Sequence, residues 1–240
     1  MKLTFLGTRG NIEPRSERHD MHSALLVEYY GERVLVDCGE DWRGEIDTIG
    51  PDAIVLTHAH PDHAWGLKDG APCPVYATEK TWDDIDAYPI DEQIVIEPRS
   101  PVEVRGIQFE AFPVDHSTRA PAVGYRIGAG RVTIFYVPDV VYIPDRAAAL
   151  DGIRLYIGDG ATITRSMVRR VDGALIGHVP LHTQLTWCQK EGVSEAAFTH
   201  CGSAIVDTDP NEVARTVNEL AEKRGVETTI ATDGMERVLR

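Results

Sequence analysis

The run Thr57-His58-Ala59-His60-Pro61-Asp62-His63 constrains this chain more than any other stretch. It sets three imidazoles and a carboxylate within six residues, directly after the apolar segment Ala53–Leu56. Packing titratable groups beside an apolar strand costs desolvation unless a cation or hydrogen bonds compensate. The segment is therefore expected at the carboxyl end of a buried strand, where α/β proteins build their sites. In extended backbone, residues two apart project to one side, so His58 and His60 can grip one cation together. Pro61 then fixes the chain direction, and Asp62 with His63 can face a neighbouring position. One loop thus offers ligands for two metals.

Around this run the first two-thirds of the chain reads mostly as strands. Lys2–Leu6 is followed by Ser23–Tyr29 and Arg33–Asp37, which flank the hairpin signature Tyr30-Gly31-Glu32. Pro74–Ala77, Gln93–Glu97, Val102–Arg105, Gln108–Phe112, Val123–Arg126 and Val132–Val137 continue the series, and Thr228–Ala231 reads as the last strand. Helices are expected at Pro144–Leu150, at Leu181–Glu191 and from Asp209. At the third, Pro210 occupies the first helical position and Glu212 lies three residues past the cap. Val213, Val217, Leu220 and Ala221 then recur on one face. With no repeat and no linker, the expectation is one α/β domain over residues 1–240, two sheets covered by helices.

Charge narrows the partners. Lys+Arg 24 against Asp+Glu 38 gives a net charge of −14, which disfavours a coat of long nucleic acid or an anionic membrane surface. No apolar run approaches the roughly 18 residues needed to span a bilayer, and Met1–Gly7 is too soon broken for a signal peptide. Cys38, Cys73, Cys188 and Cys201 form no C-x-x-C pair. A cytoplasmic protein with reduced thiols is the expectation.

The H-x-H-x-D-H run resembles the signature of the metallo-β-lactamase-fold hydrolases, and the likeness continues along the chain. Asp37 resembles that family's strand-end aspartate, His116 its next strand-end histidine, Asp139 the carboxylate that bridges the metals and His200 the closing ligand. The resemblance implies a four-layer αββα sandwich. It also implies that His58, His60 and His116 hold a first divalent metal while Asp62, His63 and His200 hold a second, with Asp139 between them. Histidine and carboxylate ligands suit zinc, with manganese or iron also compatible. Asp37 fits better as a hydrogen-bonding partner of a ligand than as a ligand.

Two such ions lower the pKa of a shared water to give a bridging hydroxide near neutral pH, and polarise the bond under attack. With Asp62 and Asp139 supplying two negative charges, the pocket is locally cationic and suits a small anionic substrate. Asp62 and His178 are the catalytic candidates. His178, in Gly177-His178-Val179-Pro180, resembles a histidine of the ribonuclease Z branch that contacts the scissile phosphate, which implies a general acid or a phosphate ligand. His182 is expected on a helix surface. Val114-Asp115-His116-Ser117 resembles the phosphodiesterase branch, which contains ribonuclease Z and a cyclic-phosphate phosphodiesterase. Two departures count against tRNA processing. Asp139–His178 carries no long basic arm, and Asp159-Gly160-Ala161-Thr162 stands where ribonuclease Z has His-Glu-Ala-Thr. Arg165, Arg169 and Arg170 form a local basic group that could hold a phosphate at the rim. The favoured expectation is a small-substrate phosphodiesterase. Lactone or thioester hydrolysis, tRNA 3′-end cleavage and non-catalytic metal or nucleotide sensing are the alternatives, and similar proteins are often homodimers.

Overall fold

The computed structural model describes all 240 residues. Sixteen strands, in chain order, are β1 (Lys2–Gly7), β2 (Ala24–Tyr29), β3 (Glu32–Val36), β4 (Ala53–Val55), β5 (Val75–Ala77), β6 (Gln93–Val95), β7 (Val102–Val104), β8 (Ile107–Val114), β9 (Ala122–Ala129), β10 (Val132–Tyr136), β11 (Leu155–Asp159), β12 (Arg169–Val171), β13 (Ala174–Ile176), β14 (Glu195–Thr199), β15 (Glu227–Ile230) and β16 (Met235–Val238). The helices are α1 (Ile46–Ile49), α2 (Pro61–Ala64), α3 (Glu79–Asp84), α4 (Arg146–Leu150), α5 (Leu181–Lys190), α6 (Ser203–Val206) and α7 (Pro210–Glu222).

Two seven-stranded sheets stack face to face, in the orders β16-β1-β2-β3-β4-β5-β6 and β15-β14-β11-β10-β9-β8-β7. A core between them joins Leu3, Phe5, Val34 and Val55 of the first sheet to Phe109, Tyr125, Ile134 and Ile157 of the second. The outer face of the first sheet is covered around Trp42, Leu67 and Trp82, and that of the second around Leu181, Leu185, Val213 and Val217. Helix, sheet, sheet, helix is the expected four-layer αββα arrangement. No helix is long and apolar enough to cross a membrane.

Topology decides where chemistry can be placed. β3, β4, β5 and β6 run parallel in the first sheet, as do β10, β11, β14 and β15 in the second. β8 shares the direction of β10, because both are antiparallel to β9. The carboxyl ends of β3, β4, β8, β10, β11 and β14 therefore open on one end of the sandwich, and the segments that follow them converge there.

Local signals explain several elements. The β2–β3 hairpin turns through Tyr30 (φ 50°) and Gly31 (φ 93°), two left-handed positions that suit a tight turn between twisted strands. Asp209 Oδ1 caps α7 by accepting from the Asn211 and Glu212 amides, while the expected return bond from Glu212 is absent. Val213, Val217 and Ala221 are buried and Leu220 is half-buried, as their spacing predicts. Five strands depart from the expectation: β11, β12, β13, β14 and β16. Thr228–Ala231 is not the last strand, since β16 follows it and pairs with β1. β11 is buried throughout, so it lacks the alternation that marks a half-exposed strand.

Candidate metal centre

Each candidate ligand follows a strand end. β4 delivers Thr57 and His58, and α2, with Pro61 at its start, carries Asp62 and His63. His116 follows β8, Asp139 follows β10, Asp159 closes β11, and His200 follows β14. His200 and Asp37 both hold left-handed backbone (φ 52° and 63°), a strain of about 1–3 kcal/mol each that clusters at functional sites. Gly39 permits one close approach: a Cβ there would lie 2.3 Å from the Asp62 carbonyl oxygen.

The side chains expected to meet do meet. Asp139 Oδ2 lies 3.1 Å from His116 Nε2, 3.2 Å from His58 Nε2 and 3.4 Å from His63 Nε2. His60 Nδ1 is 3.0 Å from His58 Nε2 and 3.2 Å from His116 Nε2. On the other side, Asp62 Oδ2 is 2.8 Å from His200 Nε2 and 3.5 Å from His63 Nε2. His200 Nδ1 is 2.9 Å from Asp139 Oδ1. His58, His60, His116 and Asp139 form one compact donor group and Asp62, His63 and His200 another, with Asp139 reaching both.

Whether this set suits a metal follows from its unmet bonds. His63 Nε2, Asp139 Oδ1 and His200 Nδ1 are fully buried without a hydrogen-bond partner; even the close His200–Asp139 contact lacks hydrogen-bond alignment. Leaving such atoms unmet costs about 1–3 kcal/mol each, more for charged groups. Three buried donor atoms left unmet within one crowded cluster are what a shared cation would satisfy. The clusters fit a divalent metal site.

Further partners orient the ligands. Asp37 Oδ2 lies 2.9 Å from His63 Nδ1, and Asp37 Oδ1 accepts from the Thr57 amide and hydroxyl. That places Asp37 behind a ligand and directs His63 Nε2 toward the cluster. His116 Nδ1 lies 3.0 Å from the Gly177 carbonyl.

A family model described as beta-lactamase superfamily domain matches residues 32–201. The chain belongs to that family. Ribonuclease Z of Mycobacterium marinum is 25% identical, over 86% of this chain and 88% of that protein. Two other ribonuclease Z sequences match at 47% and 31% identity, but over only 22% and 51% of their own lengths. Among solved structures, the metallo-beta-lactamase fold protein YhfI from Bacillus subtilis superposes with a TM-score of 0.75 at 18% identity, covering 98% of each chain. A diphosphatase from the PhnP family superposes with a TM-score of 0.73 at 25% identity, covering 98% of this chain and 96% of that one. The metallo-β-lactamase fold is thus common to this chain and its structural neighbours.

Within this family member, the electrostatics divide the cluster. Burial, with the neighbouring His63, pushes His58 well below the usual imidazole value, and burial beside His116 lowers His60 to about 4. His116 is lowered as well, again by burial. Burial opposes the charge on His63 and His200 too, yet Asp62, Asp139 and Asp37 around the first, and Asp139, Asp159 and Asp62 around the second, hold both well above it. Asp62 and Asp139 lie well below the carboxylate range, where His63 and His200 outweigh the cost of burial.

His178 stands beside the cluster, its ring stacked on His200 at 5.4 Å between centroids. Its Nδ1 lies 2.8 Å from Asp159 Oδ2. Asp159 is itself fixed, accepting from the Val140 amide through Oδ2 and the Ala161 amide through Oδ1. Sequence reasoning missed this role, reading Asp159-Gly160-Ala161-Thr162 only as a departure from a pattern. The available signal was a carboxylate closing the apolar run Leu155–Ile157. Burial works against a charge on His178, but Asp159 raises its pKa.

A cavity of about 550 Å³ opens over these groups, lined among others by His60, Asp62, Arg165, His178 and Ser203. A neighbouring cavity of about 440 Å³ is lined by Arg119, Arg169 and the same His60, His116 and His178. The expected basic group divides accordingly. Arg165 and Arg169 flank the site on two sides, whereas Arg170 donates to the Gly173 carbonyl in the β12–β13 turn. Arg119 was not singled out from the sequence. His182 lies in α5 with Nδ1 3.3 Å from the Ile163 carbonyl, outside the donor clusters.

Proposed function

We propose that this protein is a dinuclear metal-dependent phosphodiesterase acting on a small, cyclic or nucleotide-like phosphodiester. His58, His60 and His116 would hold one dication and Asp62, His63 and His200 the other, with Asp139 shared. Zinc suits this donor set best, with manganese or iron compatible. When bound, such ions lower the pKa of a water and polarise the bond under attack.

The observation that carries the reading is the Asp159–His178 pair. Asp159 Oδ2 takes up the Nδ1 side of His178, so Nε2 is the ring atom available to the cavity that His178 lines. A histidine held in this way presents N–H to a phosphoryl oxygen or delivers a proton to the departing alkoxide. Arg165 on one side and Arg119 with Arg169 on the other add donors that match phosphate oxygens. A neutral lactone carries no anion for these cations to pair with.

Size and charge favour a small substrate over tRNA. The cavity volumes are those of nucleotide-sized ligands. The β12–β13 hairpin, with three residues in each strand, is short for clasping a long RNA, and the net charge is −14. The ribonuclease Z relatives and the PhnP-family diphosphatase support phosphorus-centred hydrolysis. All four cysteines are free, which suits a cytoplasmic setting.

Metal-loaded protein assayed on bis(p-nitrophenyl) phosphate, a simple lactone and a tRNA precursor tests the reading. Turnover of the phosphodiester alone is expected. Faster lactone turnover would overturn it in favour of acyl hydrolysis, and efficient cleavage of the precursor would overturn the small-substrate assignment.

A further inference from the structure

A third cavity, of about 440 Å³, lies between α7, β15 and the Ser16–His19 loop. None of its lining residues lines the two cavities at the metal centre. α6 divides the two regions: Ser203 and Ala204 face the metal side, Ile205 and Val206 this one. Its apolar wall comes from Val206, Val213, Val217 and Ile230, and its volume lies in the range of small-molecule sites.

Two polar atoms of residues that line this cavity have no protein partner. Thr228 Oγ1, on edge strand β15, is fully buried and unbonded. His19 is only 5% exposed; its Nδ1 lies 2.8 Å from Thr8 Oγ1, and no protein group bonds its Nε2. The tautomer follows from the next contact. Thr8 spends its single hydroxyl proton on Asp233 Oδ1 at 2.7 Å, so toward His19 it can only accept. Asp233 is committed as an acceptor, since Oδ2 also receives the Asp20 and Met21 amides. Nδ1 therefore carries the hydrogen and Nε2 a lone pair. Burial, with Arg18 adjacent, lowers His19 to about 4, which keeps the ring neutral at physiological pH. A buried ring that holds a fixed, unmet acceptor on an apolar cavity wall is a feature suited to ligand recognition.

We propose that this cavity is a second ligand site, separate from the metal centre, for a small neutral molecule with an apolar body and one hydroxyl or N–H donor directed at His19 Nε2. The donor completes the Asp233–Thr8–His19 chain, and the apolar body displaces water from the Val213, Val217 and Ile230 wall. An anion finds no donor on this chain, whose one open end is the His19 Nε2 lone pair.

Titration of the metal-loaded protein with indole, 4-methylphenol and toluene, followed by NMR at the His19 ring nitrogens and the Ile230 methyls, tests this. Indole and 4-methylphenol are expected to bind with a Kd of about 1 mM or tighter and to shift His19 Nε2. Toluene should bind about tenfold more weakly, lacking the hydrogen bond. His19→Phe should erase the preference over toluene. Ala214→Trp, at an exposed α7 position that lines the cavity, should abolish binding of all three, and it keeps the test valid if His19→Phe does not fold. Excess inorganic phosphate, a probe of the metal-side cavity, should leave indole binding unchanged. Equal affinity for toluene and indole, indole binding that survives Ala214→Trp, displacement by phosphate, or no shift up to the solubility limit would each overturn the proposal. These outcomes do not depend on the hydrolytic reading.

Discussion

At the scale of single residues, Asp139 is the hinge of the metal centre. One carboxylate lies within 3.4 Å of nitrogens from His58, His63, His116 and His200. Asp139→Ala would leave neighbouring dications to repel one another across a low-dielectric gap, so metal and activity should be lost together. Metal analysis of the purified variant checks this, and full occupancy would contradict the bridging role. His178→Ala should instead keep its metal and lower kcat by about 10²–10⁴. Loss of metal there would make His178 a ligand. Titration adds a third expectation. His63 and His200 hold protons well above the ordinary imidazole value in the metal-free protein, whereas His58, His60 and His116 are neutral at that pH. Binding a metal must displace those protons, so affinity falls as pH falls, and falls first at the Asp62–His63–His200 position. Metal retention measured from about pH 8 to 5.5 should show that position emptying before the His58–His60–His116 position.

Elements explain why these residues meet. Six strand ends point one way, and the turns beyond them are held by close packing. Gly39 abuts the Asp62 carbonyl, so Gly39→Ala, whose Cβ would sit at 2.3 Å, should shift α2, weaken metal binding and lower Tm. Asp209→Ala, which removes only the α7 cap, should cost about 1 kcal/mol in denaturant unfolding and leave metal binding unchanged. The contrast separates damage to the site from damage to the scaffold. It also shows what could be read from the residues alone. The 58–63 run announces itself because its ligands are contiguous and follow a β-strand. α7 announces itself through its cap and its spacing. β11 does not, because a strand buried on both faces has no period, and β16 does not, because its residues alternate only between half-buried and exposed. Asp159 was therefore illegible as the partner of His178: the pairing depends on β11 lying beside β10 and β14.

As a whole molecule, a protein of net charge −14 gathers its donor side chains into one pocket that bound metal would make cationic. Asp37, Asp62, Asp139 and Asp159 are all buried beside six imidazoles, a packing that is costly without a cation. Metal that binds only the folded chain should stabilise it, by about 2.7 kcal/mol at a hundredfold excess over Kd, so chelation should lower Tm and added zinc restore it. The most direct measurement is anomalous diffraction from crystals of the zinc-loaded protein, combined with metal content per chain. Two ions per chain are predicted, one among His58, His60 and His116 and one among Asp62, His63 and His200, with Asp139 touching both. A chain that binds no zinc, or binds it away from these side chains, would contradict the account.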